Sequence, residues 1–349
     1  MAGVFEHHDR TKFETIAIAF LKDNTTAMRR RLKSAFHRFI EVQEQSDAEV
    51  AELLRRMEVD IAVDLMGFTG ECRPGILAFR PAPVQVNYLG FPGTMGADYI
   101  DAIIADRTVI PEESVGDYSE AVVYLPDTYL PNDATRRIAE RTPTRSEAGL
   151  PEKGFVFCSF NNSYKFTPEL FDIWMRLLLA VEGSVLWVPE VNAAAVRNLR
   201  REAASRGIDE KRLVFAPFLS SAEDHLARLR LADLFLDTLP YNAHTTAADA
   251  LWAGLPVLTT PGSTFAGRVA ASLINAIGLP EMIAPSLETY EATALQLARD
   301  RTALAEIKAK LQRNRGTYAL FDTARFTRNL ETAYANLYEH APLNPVARS

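Results

Sequence analysis

Short apolar runs rich in β-branched and aromatic residues recur along the chain, separated by longer segments whose apolar positions repeat at helical spacing. A first series comprises Phe13–Phe20, Val59–Met66, Val84–Gly90, Ile100–Asp106 and Ala121–Pro126. A second comprises Phe155–Phe160, Ser184–Pro189, Leu213–Pro217, Leu234–Thr238, Val257–Thr260 and Met282–Ala284. Helical patterns fill Asp47–Met57, Pro168–Val181, Ala193–Arg206, Ala222–Leu229 and Ala266–Ile277. Strands that are apolar throughout must be covered on both faces, and strands that alternate with helices form parallel sheets. The pattern therefore predicts an α/β chain of two Rossmann-like lobes. An N-terminal lobe spans 1–131, a polar, proline-bearing linker spans 132–153, and a C-terminal lobe with trailing helices spans 154–349. In such sheets ligands sit beyond the carboxyl ends of the strands, so functional residues are expected just after the runs named above.

Bulk composition narrows the field. The 349 residues carry a net charge of −7, which argues against a nonspecific nucleic-acid binder. Two cysteines, Cys72 and Cys158, lack metal-ligand spacing and suit a reducing compartment, and Cys158 sits in an apolar run as a small buried hydrophobe would. No apolar stretch reaches the ~18 residues of a spanning helix, and the start of the chain lacks the apolar core of a signal peptide. The expectation is a cytoplasmic protein with no membrane partner.

The strongest local signal follows Leu234–Thr238. Pro240 and Asn242 make a loop, and a helix of small residues opens near His244 and closes at Gly254. A helix start exposes unpaired N–H groups and partial positive charge, which suits a diphosphate, and Thr245 and Thr246 add hydroxyls there. Asp249, one turn on, lies on the face of Thr245 and can accept from ribose hydroxyls. The plain alternative makes Thr245 an N-cap and Asp249 a solvated helix acid. The segment Pro261–Arg268 is a second loop with glycines and hydroxyls before a helix, able to supply further backbone donors. At the end of Phe155–Phe160, Asn161-Asn162-Ser163-Tyr164 leads to Lys165, placed either to neutralise a departing phosphate or as a surface lysine. His225, with Arg228 three residues on, can contact a base or pack as a helix histidine. In the first lobe the glycine-bearing run Leu89–Gly96 lets backbone approach a ligand, while Asp64 reads as hydrogen-bonded structure in preference to part of the acceptor-side site. There is no dinucleotide glycine fingerprint, no phosphate-binding loop ending in Gly-Lys-Ser/Thr, and no Asp-x-Asp to hold a divalent cation. No metal or cofactor is expected.

Five ordered motifs carry a resemblance. Arg80-Pro81-Ala82-Pro83-Val84-Gln85 running to Leu89-Gly90-Phe91-Pro92-Gly93-Thr94, Phe160–Lys165, His244-Thr245-Thr246, Asp249–Gly254 and Arg268–Ser272 closely resemble the catalytic region of protein O-linked N-acetylglucosamine transferases. This is glycosyltransferase family 41, with its bacterial SPINDLY-type members. The resemblance implies a GT-B fold and metal-independent, inverting transfer of N-acetylglucosamine from UDP-N-acetylglucosamine to Ser or Thr hydroxyls of proteins. It implies that His244, Thr245 and Thr246 hold the diphosphate, Asp249 the ribose, and His225 with Arg228 the uridine. Lys165 would stabilise the leaving UDP beside Asn162, which stands where the human-type enzyme has glutamine. Leu89, Gly90 and Tyr241 would line the sugar pocket. The family's first strand and a His-Pro loop lie ahead of the segment matching Phe5–Phe13, so the N-terminal lobe is expected to lack its first strand. A UDP-sugar-binding remnant without turnover, or a member using glucose or fucose, stays open as an alternative.

Overall fold

A computed structural model describes residues 1–22 and 25–340. The chain divides into two compact units, Met1–Ala134 together with the segment from Ala319 onward, and Thr135–Tyr318. Residues 341–349, part of the expected C-terminal lobe, lie outside the described residues.

The first unit opens with α1 (Ala2–His7), β1 (Ile16–Ala19), α2 (Ala27–Ala35) and β2 (Arg38–Glu41). It continues through α3 (Asp47–Arg56), β3 (Ile61–Asp64), α4 (Gly75–Ala78), β4 (Val84–Asn87), β5 (Ala102–Ala105) and β6 (Ala121–Tyr124). β1 and β2 pair in parallel as a two-stranded sheet, and β3-β4-β5-β6 form a second parallel sheet in chain order. Ser46 starts α3 with a capping box, its hydroxyl accepting from the Glu49 amide while the Glu49 carboxylate accepts from the Ser46 amide. Val84, Val86, Ala102, Ile103 and Ile104 are buried, as strands covered on both faces require.

The second unit is one five-stranded parallel sheet. Its strands are β7 (Val156–Cys158), β8 (Val185–Pro189), β9 (Leu213–Ala216), β10 (Leu234–Leu236) and β11 (Val257–Leu258). The helices are α5 (Pro168–Ala180), α6 (Ala193–Ser205), α7 (Ala222–Arg228), α8 (Thr245–Ala253), α9 (Val269–Ala276), α10 (Leu287–Arg299) and α11 (Arg301–Asn314). The spatial order is β9-β8-β7-β10-β11. From β7 the chain winds outward to β8 and β9, then returns to add β10 on β7's other side. This is the doubly wound order, and its direction reverses between β7 and β10, where such sheets bind ligands. Thr167 caps α5 and Pro168 occupies its first turn, where a missing N–H costs nothing. Trp174, Trp187, Phe157 and Phe235 form a core in which each large side chain contributes about 1.5–3 kcal/mol on burial.

The last helix, α12 (Thr323–Glu339), belongs with the first unit. The Thr323 hydroxyl donates to the Asn132 carbonyl and accepts from the Ala134 amide, and Glu331 accepts from the Asp9 amide. The pattern-based division, which keeps 319–349 with the C-terminal lobe, differs from this grouping because periodicity shows that a segment is helical and not where it docks. The Met282–Ala284 run is reduced to a single bridge, Thr259 to Ile283.

Candidate active site at the strand reversal

The site grows from the loops that leave β7 and β10. The β10 loop is organised by Asp237, a fully buried carboxylate. Its Oδ1 accepts from the Thr238 amide at 2.7 Å and the Ala243 amide at 2.6 Å, and its Oδ2 accepts from the Thr259 hydroxyl at 2.6 Å. Those bonds close residues 238–243 into a turn. The Thr238 hydroxyl donates to the Tyr241 carbonyl across it, and the Asn242 amide group donates to the Thr238 carbonyl. From the far side, the Tyr290 hydroxyl donates to the Asp237 carbonyl and in turn accepts from the Trp174 indole.

α8 begins where this turn ends. His244 occupies the N-cap position without a side-chain cap bond, and Gly254 closes the helix at φ +87°, where a side chain would be strained. The first turn therefore keeps backbone N–H groups without an intrahelical acceptor. The imidazole Nε2 lies 3.1 Å from the Ala266 carbonyl, so that nitrogen carries the proton and Nδ1 is left bare. Burial pushes the His244 pKa down to about 4, so the ring is neutral at physiological pH. Thr245 is exposed, and its hydroxyl makes no hydrogen bond among the described residues. Thr246 differs from the expectation: its hydroxyl proton goes to Asn161 Oδ1 at 2.8 Å, which leaves it no donor for an anion.

The β7 loop supplies the cation. Lys165 ends a short 3-10 turn (Ser163–Lys165), and its Nζ donates to the Asn242 carbonyl at 2.8 Å while standing 3.9 Å above the Tyr241 ring. Tyr241 itself stacks on His244, with ring centroids 4.8 Å apart. An ammonium has three donors, so at least one N–H remains free. Burial lowers the Lys165 pKa to about 8, and the Asp237 carboxylate opposes that fall. Lys165, Tyr241 and the start of α8 are thus brought together.

Two side chains in this network escape sequence reasoning. Asn161, 2% exposed, ties the loops together by donating to the Thr238 hydroxyl at 2.9 Å and accepting from Thr246. The sequence singles out its neighbour Asn162, which is exposed and caps its own 3-10 turn by accepting from the Tyr164 amide. Arg136 is the second. Its Nη1 pairs with Asp249 Oδ1, and its guanidinium lies over Trp252. Asp249 is therefore an ion-paired, partly buried carboxylate and not a solvated helix acid.

His225 and Arg228 form one unit. Arg228 donates from Nη2 and Nε to His225 Nδ1 at 2.7 and 3.2 Å, and from Nη1 to the Pro217 carbonyl at 2.6 Å. The Arg228 guanidinium lies over the Phe160 ring at 5.0 Å, and the His225 imidazole meets Phe160 edge to face. Burial, aided by Arg228, lowers the His225 pKa, and burial alone lowers Arg228 to about 10. The Pro261–Arg268 loop is largely self-bonded: the Gly262, Gly267 and Arg268 amides all donate within it. It braces the Asn242–His244 segment through the Ala266 carbonyl, and three of the loop's amides are committed to its own fold.

Leu89 and Gly90 stand in the first unit. Leu89 has φ +75°, uncommon for a residue with a side chain, and a Cβ on Gly90 would lie 2.2 Å from the Leu65 carbonyl oxygen. Asp64 is structural as expected, its Oδ1 accepting from the Met66 and Gly67 amides at 2.8 and 3.0 Å. Among the described residues no His, Cys, Asp and Glu side chains cluster as a metal site, and no helix is long and apolar enough to cross a membrane.

The family model Glycosyl transferase family 41 matches residues 1–142 and 132–330 of the chain. The chain belongs to glycosyl transferase family 41. Among curated relatives, Arabidopsis thaliana SEC, named as a probable UDP-N-acetylglucosamine–peptide N-acetylglucosaminyltransferase, is 38% identical over 97% of this chain and 35% of its own length. The Caenorhabditis elegans protein named as a UDP-N-acetylglucosamine–peptide N-acetylglucosaminyltransferase is 25% identical over 95% of this chain and 38% of its own length. This family 41 chain thus spans about a third of the curated relatives' length. A solved point mutant of the Thermobaculum terrenum O-GlcNAc transferase superposes with a TM-score of 0.90 at 34% identity, covering 97% of this chain and 64% of that one. Anabaena HepE, solved with UDP and glucose, has a TM-score of 0.65 at 12% identity, covering 96% of this chain and 95% of that one, a likeness of fold alone. The fold of the family 41 chain is GT-B.

Proposed function

We propose that this chain transfers N-acetylglucosamine from UDP-N-acetylglucosamine to Ser or Thr hydroxyls of proteins, with inversion at the anomeric carbon. The observation that carries the reading is the Lys165 ammonium, held 2.8 Å from the Asn242 carbonyl beside the start of α8 at the strand reversal. Membership of family 41 and the names of the relatives support the donor and the acceptor class. In this reading the diphosphate lies on the unpaired N–H groups of α8 with Thr245 beside it, and the Thr246 hydroxyl holds the framework through Asn161. Asp249, oriented by Arg136, accepts from the ribose, and the uracil lies near His225 and Arg228. Tyr241 borders the sugar. The acceptor oxygen attacks the anomeric carbon as the bond to UDP breaks, and the charge growing on the departing diphosphate meets the Lys165 ammonium. A lysine and a helix terminus supply the balancing charge, so the reaction is expected to run unchanged in EDTA. The free thiols Cys72 and Cys158 support a cytoplasmic setting.

The test is transfer itself: the chain incubated with UDP-N-acetylglucosamine and a Ser/Thr peptide, followed by mass spectrometry. A gain of one N-acetylhexosamine supports the reading. Tight UDP binding with no transfer under any acceptor or donor sugar would leave only a nucleotide-binding protein. The lysine must be protonated to act, and its free-enzyme pKa is about 8, so kcat/KM is expected to fall as pH rises through about 8.

A further inference from the structure

Asp237 is buried with 2% of its surface exposed, and both its oxygens accept from protein donors. Three of the four donors it receives are part of the apparatus that carries Lys165; the fourth, the Thr259 hydroxyl, comes from the end of β11. The Thr238 and Ala243 amides are the two ends of the turn whose Asn242 carbonyl accepts from Lys165 Nζ, and whose Tyr241 ring lies under that ammonium. Asn161, which reaches Asp237 Oδ1 at 3.4 Å, belongs to the loop that delivers Lys165.

All four groups bonded to Asp237 are donors, as an acceptor-only ionised carboxylate requires, and its charge acts in turn on Lys165. The groups facing it are the Thr259 hydroxyl from the end of β11, the two turn amides, Asn161 and the field of Lys165. Those facing Lys165 are the Asn242 carbonyl, the Tyr241 ring, neutral His244 and Asp237. The Asp237 carboxylate raises the Lys165 pKa against the effect of burial.

We propose that Asp237 is the positioning residue for Lys165: it closes the 238–243 turn on which the ammonium rests and supplies that ammonium's counter-charge. The role of Lys165 toward a leaving diphosphate rests on the function proposed above; the Asp237–Lys165 coupling does not. Burial raises Asp237 to about 6 and lowers Lys165 to about 8, so both are ionised between those values. Removing the carboxylate charge removes what opposes the fall in Lys165, and the lysine must then lose its proton at lower pH.

The experiment uses the whole chain with isotopically labelled lysine and follows the Lys165 side-chain resonance with pH, assigned through Lys165→Arg. Asp237→Asn keeps an acceptor for the two amides and loses the charge. The Lys165 titration is expected to move down by on the order of one pH unit, the size one nearby opposite charge produces, and the alkaline limb of kcat/KM moves with it. UDP affinity stays near that of the parent. Asp237→Ala also loses the acceptor that closes the turn, and UDP affinity falls roughly tenfold. Should Asp237→Asn not fold, the parent protein carries the same information: the Lys165 side-chain resonance is expected to show a second, smaller inflection near pH 6 as Asp237 takes up its proton. A Lys165 titration that stays in place in a folded Asp237→Asn protein, or a parent resonance with no inflection near pH 6, overturns the proposal and leaves Asp237 as scaffolding. A titration that moves in a protein that binds no UDP keeps the coupling and removes the nucleotide-sugar reading instead.

Discussion

Asp64 in the first unit and Asp237 in the second solve the same local problem. Each ends an apolar parallel strand and turns its Oδ1 onto two backbone amides of the loop that follows. Around Asp64 the arrangement stops there: the loop it holds packs against Gly90 in a region shaped by tight backbone, with Leu89 at φ +75°. Around Asp237 a second loop arrives from β7 and brings a lysine onto the turn. The difference follows from topology. The sheet of β3 to β6 runs in chain order, so its neighbouring loops are successive, whereas the β7-β10 reversal sets side by side two loops far apart in sequence. A capped turn is structure; a capped turn with a half-buried ammonium on it is chemistry.

The largest expected effect breaks the second arrangement and spares the first. Lys165→Ala should lower kcat by roughly 10²–10³, the cost of losing one group that stabilises developing charge, with thermal stability little changed. An equal loss in KM with kcat intact would place Lys165 in ground-state binding only. In the first unit the vulnerable point is backbone contact. Gly90→Ala, whose new Cβ would press on Leu65 and Met66, should destabilise by roughly 1–3 kcal/mol in a denaturant titration. Asp249→Ala should weaken UDP roughly tenfold while leaving 2′,3′-dideoxy-UDP nearly unaffected, because the lost partner is a ribose hydroxyl. The smallest effect is assigned to Asp64→Asn, which retains an acceptor for both amides: a change of about 1 kcal/mol or less, and unaltered turnover.

The contrast between the two units also marks what can be read from residues alone. Strands such as Ala102–Ala105 and Leu234–Leu236 declare themselves because burial on both faces leaves only apolar side chains. β2 does not: Arg38-Phe39-Ile40-Glu41 is a partly exposed strand flanked by charge, with no alternation long enough to separate it from a loop. The start of α8 is legible from the small residues between His244 and Gly254, and Lys165 from its place after a strand. Asn161 and Asn162 are adjacent amides in a polar run, and which one turns inward depends on where Thr238 and Thr246 stand in space. The pairing of Arg136 with Asp249 joins residues 113 apart, and no local period records it. Asp237 looks like Asp64 and Asp106 in sequence, each an acid at the end of an apolar run; its distinction comes from a neighbour that only the folded sheet provides.

Calorimetric titration of the whole chain with UDP and with uridine tests the diphosphate cradle most directly. The account predicts a single site at which UDP binds at least about a hundredfold more tightly than uridine, a gap near 2.7 kcal/mol, and predicts that Lys165→Ala narrows that gap. Equal affinities for the two, or a gap indifferent to Lys165, would contradict it.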